Sequence, residues 1–459
     1  MDLDKIKRRQ SLKVIISEAI MVLAVILMVA ILALIVSGYW LNSDFQIERQ
    51  GLLQISSAPT GASVEIDGSS SWLQKTNTSK VLSSGEHTIV LSKEGYDTWQ
   101  KKINIAEGLL YRVNYPRLFP EERSAETLLD VSRGEFVTIS PSRETLIFTD
   151  NHYEWFLINL NNNVIEPKPI DAALLFPGVS LSTVKILDAN WDQDESHILL
   201  KTEINGDVEW VLMDIRNLAN SLNLTQEFSV DFDDVRILDN SSNNLIAIQS
   251  GDLRRIDVSG KSISAILIEN VSDFDHLGSE IVFSAKQQNG EDYYVGTTKI
   301  GDDKVTKLLE SETPAKIALS EFYDEKYITV LLEKAVTLYK DNNFEKLISY
   351  DVSSNYEDIK VGHNGEYIIF YTRNNIAAID MEASALTEWQ TEGPSFGWID
   401  NYMIYTIADN NLIVYDFDGL NRRQIATNIP GQSIITITDD KWLYFLTDDS
   451  LIREWLIPR

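Results

Sequence analysis

Three short acidic clusters offer the oxygen ligands that a hard cation such as Ca²⁺ prefers. They are the DFDG segment from Asp416 to Gly419, the carboxylates Asp231, Asp233 and Asp234, and the set Asp192, Asp194 and Glu195. The first cluster lacks the glutamate about twelve residues from the loop start that an EF-hand needs, so it predicts a hairpin turn. For the other two clusters we favour solvated turns, and a cation held by converging loops stays open as the alternative.

Paired carboxylates are the other chemistry that the chain can supply, because glycosidases use two Asp or Glu residues as acid, base or nucleophile. The 69 acidic residues offer many candidates, and one sequence does not show which of them meet. The sequence has no Gly-x-Ser-x-Gly elbow, His-Glu-x-x-His, phosphate loop or dinucleotide fingerprint, and it has no cysteine. We predict no catalytic residue, no metal site and no cofactor, with a hydrolase as the alternative. Surface positions are expected for four of the histidines, His152, His197, His276 and His363.

The N-terminal segment has the pattern of a membrane anchor. Residues 1–13 carry five basic side chains, and no residue from Ala19 to Val36 is charged. With the apolar residues just before it, this run is long enough to cross about 30 Å of hydrocarbon as a helix. We predict a cytoplasmic tail over 1–13, a transmembrane helix over 14–38 with Tyr39 and Trp40 at the far interface, and an extracytoplasmic remainder.

A cleaved signal peptide is the alternative interpretation of the same segment. Its apolar core is usually about 7 to 15 residues long and ends at small residues. The run here is longer, and the residues before Gly38 form a poor cleavage site. We therefore favour an uncleaved anchor.

Beyond a predicted linker at 39–51, residues 52–118 alternate apolar and polar residues with a period of two. Frequent turn residues such as Pro59, Gly61, Asp67 and Gly68 separate the alternating runs. Short strands with frequent turns predict a small antiparallel sandwich. In it we expect structural use of His87, and core packing of Tyr96 and Trp99 rather than a sugar-stacking platform.

The residues of this module resemble a PEGA domain, a small β-sandwich of bacterial and archaeal surface proteins. The quoted segments are SAPTGASVEIDG and SSGEHTIVLSKEGYDTWQKKINIAEG. The naming motif appears as Pro59, Thr60, Gly61 and Ala62, and Thr60 departs from it at a turn position expected to face solvent. The I-D-G turn at Asp67 and Gly68 strengthens the match. The resemblance implies a prokaryotic envelope protein.

Charge separates the two parts of the chain. Residues 119–459 carry 27 basic and 58 acidic side chains, a net charge of −31, whereas residues 52–118 carry seven basic and six acidic. The acidic region excludes nucleic acid as a partner and disfavours contact with anionic lipid.

Residues 119–459 repeat a unit of short apolar strands and polar turns. Eight unit starts, from Phe136 to Ile435, have an average spacing of about 43 residues, which is typical of four-stranded propeller blades. The last unit stops one strand short, and the ETLLDV segment from Glu126 to Val131 is available to complete it and remove an exposed edge. We predict an eight-bladed β-propeller, with seven blades as the alternative if a unit near Ile186 or Ile317 is an insertion.

The repeats resemble those of TolB-like propellers. The segments that carry the resemblance are SPSRETLIFTD and LIVYDFDGLNRRQIATN. The resemblance implies a fold and a tendency to bind proteins. The sequence as a whole therefore predicts an all-β, membrane-anchored binding or scaffolding protein of the prokaryotic envelope that recognises a protein, peptide or wall polymer. A propeller-type hydrolase of surface glycans or peptides is the alternative.

Overall fold

The computed structural model describes residues 18, 20–33, 39–41, 47–162, 165–238, 241–288, 290–302, 304–340, 344–362, 364–393, 395–429, 433, 435–438 and 440–456. Two compact units divide the chain, residues 1–121 and residues 122–459. Strands account for most of the regular secondary structure of the described residues, as expected for an all-β protein.

Residues 20–33 are helical, and every one of them is exposed. Among the described residues, no helix is both long and apolar enough to span a bilayer. The predicted span over 14–38 is therefore not confirmed. Ala19 and Val36 lie outside the described residues, and Tyr39 and Trp40 belong to a strand.

In its described residues, the first unit contains two four-stranded sheets. In one, β2 pairs with β1, β5 and β8, and in the other the order is β4-β3-β6-β7. Strands β1 and β2 occupy much of the segment 39–51 that the sequence predicts as a linker. The strand bounds are β1 Tyr39–Leu41, β2 Ile47–Ile55, β3 Ser63–Ile66, β4 Ser69–Lys75, β5 Thr78–Ser83, β6 Gly85–Ser92, β7 Trp99–Ile105 and β8 Leu110–Val113.

The period of two places one face of these strands in the core. In β6, His87, Ile89 and Leu91 are buried, and the residues between them are more exposed. Trp99 is fully buried with its ring centroid 5.9 Å from that of Tyr115. Tyr96 is also buried. Core packing is thus confirmed for Tyr96 and Trp99.

The second unit contains eight four-stranded antiparallel sheets among its described residues, named here sheets A to H in chain order. In sheets A to G the four strands follow one another in sequence. Sheets A to D consist of β10 Arg133–Ile139, β11 Thr145–Asp150, β12 Trp155–Asn159, β13 Lys168–Ile170; β14 Val184–Trp191, β15 His197–Ile204, β16 Asp207–Asp214, β17 Leu222–Asn223; β18 Asp234–Leu238, β19 Ser241–Gln249, β20 Asp252–Asp257, β21 Ser262–Ile263; and β22 Val271–Leu277, β23 Glu280–Lys286, β24 Tyr293–Lys299, β25 Thr306–Ser311.

Sheets E to H continue this arrangement. Their strands are β26 Lys316–Phe322, β27 Glu325–Leu332, β28 Ala335–Lys340, β29 Glu345–Asp351; β30 Asp358–Val361, β31 Tyr367–Tyr371, β32 Asn375–Asp380, β33 Ala385–Gln390; β34 Ser395–Trp398, β35 Met403–Ala408, β36 Asn411–Asp416, β37 Arg423–Thr427; and β38 Ile435–Thr438, β39 Trp442–Leu446, β40 Ser450–Trp455 with β9 Ala125–Asp130. Short helical segments lie at Ala172–Leu174, Leu181–Thr183, Leu218–Asn220 and Leu224–Phe228.

Strand β9 completes sheet H, although β9 lies more than 300 residues before its partner β40. The register places Leu129 opposite Leu451 and Thr127 opposite Ile452. The predicted pairing of the ETLLDV segment with the last unit is confirmed. It leaves β40 with a neighbour on each side.

Apolar clusters join each sheet to a neighbour, and one cluster joins the last sheet to the first. Leu146 and Phe148 of sheet A pack in one cluster with Tyr444 and Leu446 of sheet H. The Tyr444 hydroxyl also donates a hydrogen bond of 3.3 Å to the Leu160 carbonyl. The apolar faces at both ends of the array are thereby buried.

Candidate functional site

The PEGA-like motif forms a turn that side chains hold in place. Pro59 follows a cis peptide bond, Gly61 has a φ of 81°, Ala62 is buried, and Thr60 is exposed as expected. The Thr76 hydroxyl accepts a hydrogen bond of 3.0 Å from the Ala62 amide. The motif residues therefore shape the backbone, and Thr60 occupies a solvent-facing position.

Asp67 and Gly68 connect β3 to β4 with φ values of 51° and 74°. Two consecutive positive φ angles are the requirement of a type I′ hairpin, which Asp-Gly meets readily. Asp67 Oδ2 lies 2.6 Å from His87 Nδ1, and Asp67 Oδ1 accepts a 2.9 Å hydrogen bond from the Thr88 amide. The turn is thus tied to β6.

His87 contacts hydrogen-bond acceptors on both sides of its ring. Nε2 lies 2.8 Å from the Ser83 carbonyl and 3.5 Å from the Ser83 hydroxyl, while Nδ1 faces Asp67. A carbonyl only accepts, so Nε2 carries a proton and cannot serve as a base for Ser83. The Ser-His-Asp grouping is therefore a structural clamp that favours the imidazolium form.

The clamp raises the pKa of His87 and lowers the pKa of Asp67. Burial alone lowers the pKa of His87, but hydrogen bonds to Asp67 and the Ser83 carbonyl outweigh burial and raise it above its usual value. The hydrogen bond from His87, supported by the Thr88 amide, lowers the pKa of Asp67. The charged pair is favoured between the two pKa values.

We expect protection of β3 and β6 to be greatest at mildly acidic pH. The His87 contribution is complete below about 6.5 and is lost as pH rises through its raised pKa, and the Asp67 contribution is lost as pH falls below about 3.9. Hydrogen exchange of these strands as a function of pH, corrected for intrinsic rates, measures the loss of protection on both sides of the optimum. His87→Gln should abolish most of the loss of protection at higher pH, whereas His152→Gln, at a histidine 77% exposed, should leave it unchanged. An unchanged profile in His87→Gln would contradict the clamp.

Local backbone contacts occupy the acidic clusters noted in the sequence. Asp192 is 3% exposed and accepts hydrogen bonds from the Ser196 and His197 amides. Asp416 is fully buried, and Asp418 accepts a 3.1 Å hydrogen bond from the Leu420 amide. These clusters form turns, but Asp192 is buried, so the expectation of a solvated turn is wrong for this residue. Within the described ranges, no group of three or more acidic or histidine side chains is arranged to hold a metal ion.

The remaining members of these clusters differ in their contacts. Glu195 accepts a 2.8 Å hydrogen bond from the Ser142 hydroxyl, and Asp194 is exposed. Asp233 accepts a 3.2 Å hydrogen bond from the Gly251 amide, while Asp234 contacts the Arg236 guanidinium. Of the histidines, His197 contacts Asp192, His276 lies on β22, and His363 lies outside the described residues.

The densest charged site lies on the first strands of adjacent sheets and centres on Arg236 of β18. Its guanidinium lies 3.2 Å from Asp234, 3.2 Å from Asp275 and 3.9 Å from Asp273. It also stacks over Phe274, with 4.4 Å from Cζ to the ring centroid. Sequence reasoning missed this site, because Asp273 and Asp275 lie about 40 residues along the chain from Arg236 and no local pattern joins them.

The two aspartates of β22 also tie sheet D to sheet E. Asp273 Oδ2 accepts a 3.0 Å hydrogen bond from the Ile317 amide, and Asp275 Oδ2 accepts a 2.7 Å hydrogen bond from the Leu319 amide. Both amides belong to β26, the first strand of sheet E, and they point away from β27. Without the two carboxylates they would lack a hydrogen-bond acceptor on that side of the strand. The two carboxylates therefore connect β22 to β26, which belong to different sheets and do not pair with each other.

Asp273 is the most perturbed acid of the site. Burial raises its pKa to about 6, opposed by Lys316, the Ile317 amide and Arg236, and Asp358 adds to the rise. A carboxyl group with this pKa carries a proton at mildly acidic pH. Asp273 therefore has the property expected of a general acid, although its Oδ2 already accepts an amide.

We expect Asp273→Asn to stabilise the second unit at pH 7.5 by up to about 3 kcal/mol. Because the folded pKa exceeds the unfolded value of about 3.9, the protonated carboxyl contributes stability below pH 4 that is lost as pH rises through about 6. Asparagine keeps an amide acceptor for Ile317 without the charge. Urea unfolding at pH 4 and pH 7.5 measures the difference, with the exposed Asp207→Asn as the control. Equal changes at both pH values would contradict the argument.

The charged site continues onto sheet F. The Tyr371 hydroxyl donates a 3.0 Å hydrogen bond to Asp358 Oδ2, and burial followed by the Asp358 charge raises the pKa of Tyr371. Lys360 Nζ lies 5.3 Å from the Tyr371 ring centroid and 5.4 Å from that of Phe396. Charged side chains on the first strands thus recur from sheet C to sheet F.

An aromatic cleft of about 110 Å³ lies between sheets A and B. Tyr153, which is 46% exposed and has a φ of 65°, lines it together with Phe136 and Trp155. Glu135 and Lys185 add one charge of each sign. The cleft offers an apolar ring surface beside polar groups.

A wider acidic groove of about 690 Å³ lies between sheets B and C. Asp207, Glu209, Asp231 and Asp233 line it, and Lys201 is the basic member. The aromatic cleft and this groove are both bounded by the turn between the second and third strands of one sheet and by the segment that leads into the next sheet. They therefore open at the same end of their sheets.

Comparison with known proteins gives one family match, which lies within the first unit. Residues 50–118 match the PEGA domain family. The PEGA domain thus includes the motif turn, the Asp67-Gly68 hairpin and the His87 clamp. No family match confirms the TolB-like resemblance of residues 119–459, and no curated protein sequence matches the chain. Among solved structures, "KlHsv2 with loop 6CD replaced by a Gly-Ser linker" is similar at 13% identity and a TM-score of 0.40, covering 57% of this chain and 89% of that chain.

Proposed function

We propose that the chain is a membrane-anchored, extracytoplasmic binding or scaffolding protein of a prokaryotic cell envelope. In this proposal the second unit is an eight-bladed β-propeller that recognises a protein, peptide or wall polymer. The observation that carries the proposal is the pair of surfaces, one aromatic and one acidic, at the same end of adjacent sheets. A rigid set of sheets with recognition groups on its loops binds without a large conformational cost.

Support for a propeller comes from the contacts between the first and last sheets. Each sheet has four strands, β9 completes sheet H, and sheet H packs on sheet A. A chain of sheets whose last member packs on its first is the arrangement of a propeller, which leaves only short edges.

Support for the anchor comes from the exposed helix. All apolar side chains of residues 20–33 are exposed, and a basic tail precedes them in the sequence. Exposed apolar surface on every side of a helix is favourable in lipid and unfavourable in water. The basic flank favours a cytoplasmic N-terminus and an extracytoplasmic remainder. The PEGA domain then lies between the anchor and the second unit in the chain.

Recovery of partners tests the binding function. The full chain, purified in detergent, should retain envelope components at low salt and lose them as salt rises, because a net charge of −31 on residues 119–459 favours cationic groups. Asp231→Asn with Asp233→Asn should weaken retention, whereas Asp130→Asn, at an exposed strand position away from the groove, should not. An empty pull-down at low salt would contradict the proposal.

The site around Arg236 favours a hydrolase as the second candidate function. Three carboxylates surround one guanidinium, and the pKa of Asp273 is raised to about 6. Two neighbouring carboxyl groups, one of them with a raised pKa, are what glycoside hydrolysis uses. Release of sugars or peptides from envelope material that stops in Asp273→Asn and persists in Asp130→Asn would favour it over binding alone.

A further inference from the structure

The outer face of the sheet formed by β1, β2, β5 and β8 carries a row of exposed apolar side chains. The register pairs Leu52 with Val81 on one side and with Leu110 on the other. Leu52 is 38% exposed, Val81 54% and Leu110 37%, and the adjacent Leu109 is 63% exposed. These are the exposed large apolar residues of the described part of residues 50–121. A contiguous apolar row of this kind indicates a contact surface.

We propose that this row, named here the Leu52 row, rests on the lipid surface of the membrane that holds the anchor. The inference depends on the proposed anchor and adds a second membrane contact, made by the PEGA domain. The polar residues Gln54 and Arg112 are paired next to the row on the same face. Polar neighbours of this kind suit a shallow contact at the level of the headgroups.

The chain path brings the row to the membrane. Strand β1 begins at Tyr39, only six residues after the last described helical residue, Ala33, a gap that an extended chain spans in about 20 Å at most. Strand β2 runs antiparallel to β1 and pairs Arg49 with Tyr39. It then continues for three residues to Leu52, about 10 Å further along the strand. The Leu52 row therefore lies on the side of Tyr39 from which the chain arrives.

The charge distribution of the chain favours lipid as the occupant of the Leu52 row. A partner protein attracted by charge would bind the acidic second unit instead. Residues 37–118 carry eight basic and eight acidic side chains, whereas residues 119–459 carry a net charge of −31. A neutral module meets no electrostatic barrier at an anionic surface, and the acidic unit is repelled from it. The PEGA domain is thus the part of the folded chain suited to lie against lipid.

Site-specific fluorescence tests this contact, and the absence of cysteine from the chain makes single labels straightforward. The full chain carrying Val81→Cys is labelled with bimane and reconstituted into phosphatidylcholine vesicles with and without brominated lipid. We expect a blue-shifted emission and a loss of intensity with brominated lipid. The matched control, Lys102→Cys on the other sheet at a side chain 65% exposed, should show neither. Adding Leu52→Ser and Leu110→Ser to Val81→Cys should reduce the quenching without unfolding the chain, since both leucines are at the surface.

The outcomes separate this inference from the proposed function. If the chain floats with vesicles at alkaline pH but the label at position 81 is not quenched, the lipid contact is wrong and the anchor stands. If the chain does not float, the anchor and the contact both fail. If the label is shielded only as protein concentration rises, without quenching by brominated lipid, a second copy covers the row and the lipid contact is wrong.

Discussion

Replacing residues 125–130 with an equal length of Gly and Ser should lower the free energy of unfolding of the second unit by about 5 kcal/mol or more. Strand β9 pairs with β40 from Ala125 to Asp130, with one irregularity in register at Leu128. Leu128 and Leu129 also pack against the cluster that joins sheet H to sheet A. The replacement removes both contributions and exposes the edge of β40.

Denaturant unfolding of the full chain, followed by tryptophan fluorescence, measures this effect. Glu126→Ala on the same strand is the matched control, because it removes only the partly exposed ion pair between Glu126 and Arg453 of β40. That pair should contribute less than about 1 kcal/mol. The Gly-Ser variant should also show association through the exposed edge of β40. Retention of the original stability by the Gly-Ser variant would show that sheet H does not need β9.

Arg236→Met should lower the free energy of unfolding by about 3 to 5 kcal/mol at pH 7.5, because it leaves carboxylates in a partly buried site without their counter-charge. The affected groups are Asp234, Asp273 and Asp275, each within 4 Å of the guanidinium. Methionine keeps an apolar stem of similar length but loses the guanidinium that stacks over Phe274. The loss therefore combines a charge effect with a ring contact, which a double variant separates.

Two comparisons make this prediction specific. Arg216→Met, at an exposed arginine of the same unit, should change stability by no more than about 0.5 kcal/mol. Asp273→Asn should stabilise the Arg236→Met variant by more than it stabilises the unaltered chain, since the carboxylate that it removes then lacks its counter-charge. Equal stabilisation by Asp273→Asn in both backgrounds would assign the effect of Arg236→Met to packing instead.

Local chemistry accounts for the features that were predictable from the sequence. The alternation of His87, Ile89 and Leu91 places one face of β6 in the core because side chains of a strand alternate between its two faces. The Asp67-Gly68 pair predicts a hairpin because both residues tolerate positive φ. The spacing of about 43 residues predicts four short strands per repeat, and each repeat forms such a sheet.

The last repeat of the sequence supplies only three strands, and this shortage predicted that the segment of β9 pairs with the last repeat. An unpaired edge costs hydrogen bonds wherever it occurs, so this inference required no knowledge of register. The linker prediction for residues 39–51 missed β1 and the start of β2, because three-residue strands have too few residues for alternation to be recognised.

The sequence by itself therefore determined the strand content, the repeat and the turn residues, since these depend on groups within a few positions of one another. Only the tertiary structure decided that Arg236 meets Asp273 and Asp275, and that Leu52, Val81 and Leu110 form one row. Those arrangements depend on which strands become neighbours and in which register. Register is set by the summed packing of whole faces, so residues far apart in the chain meet without any local pattern to announce it.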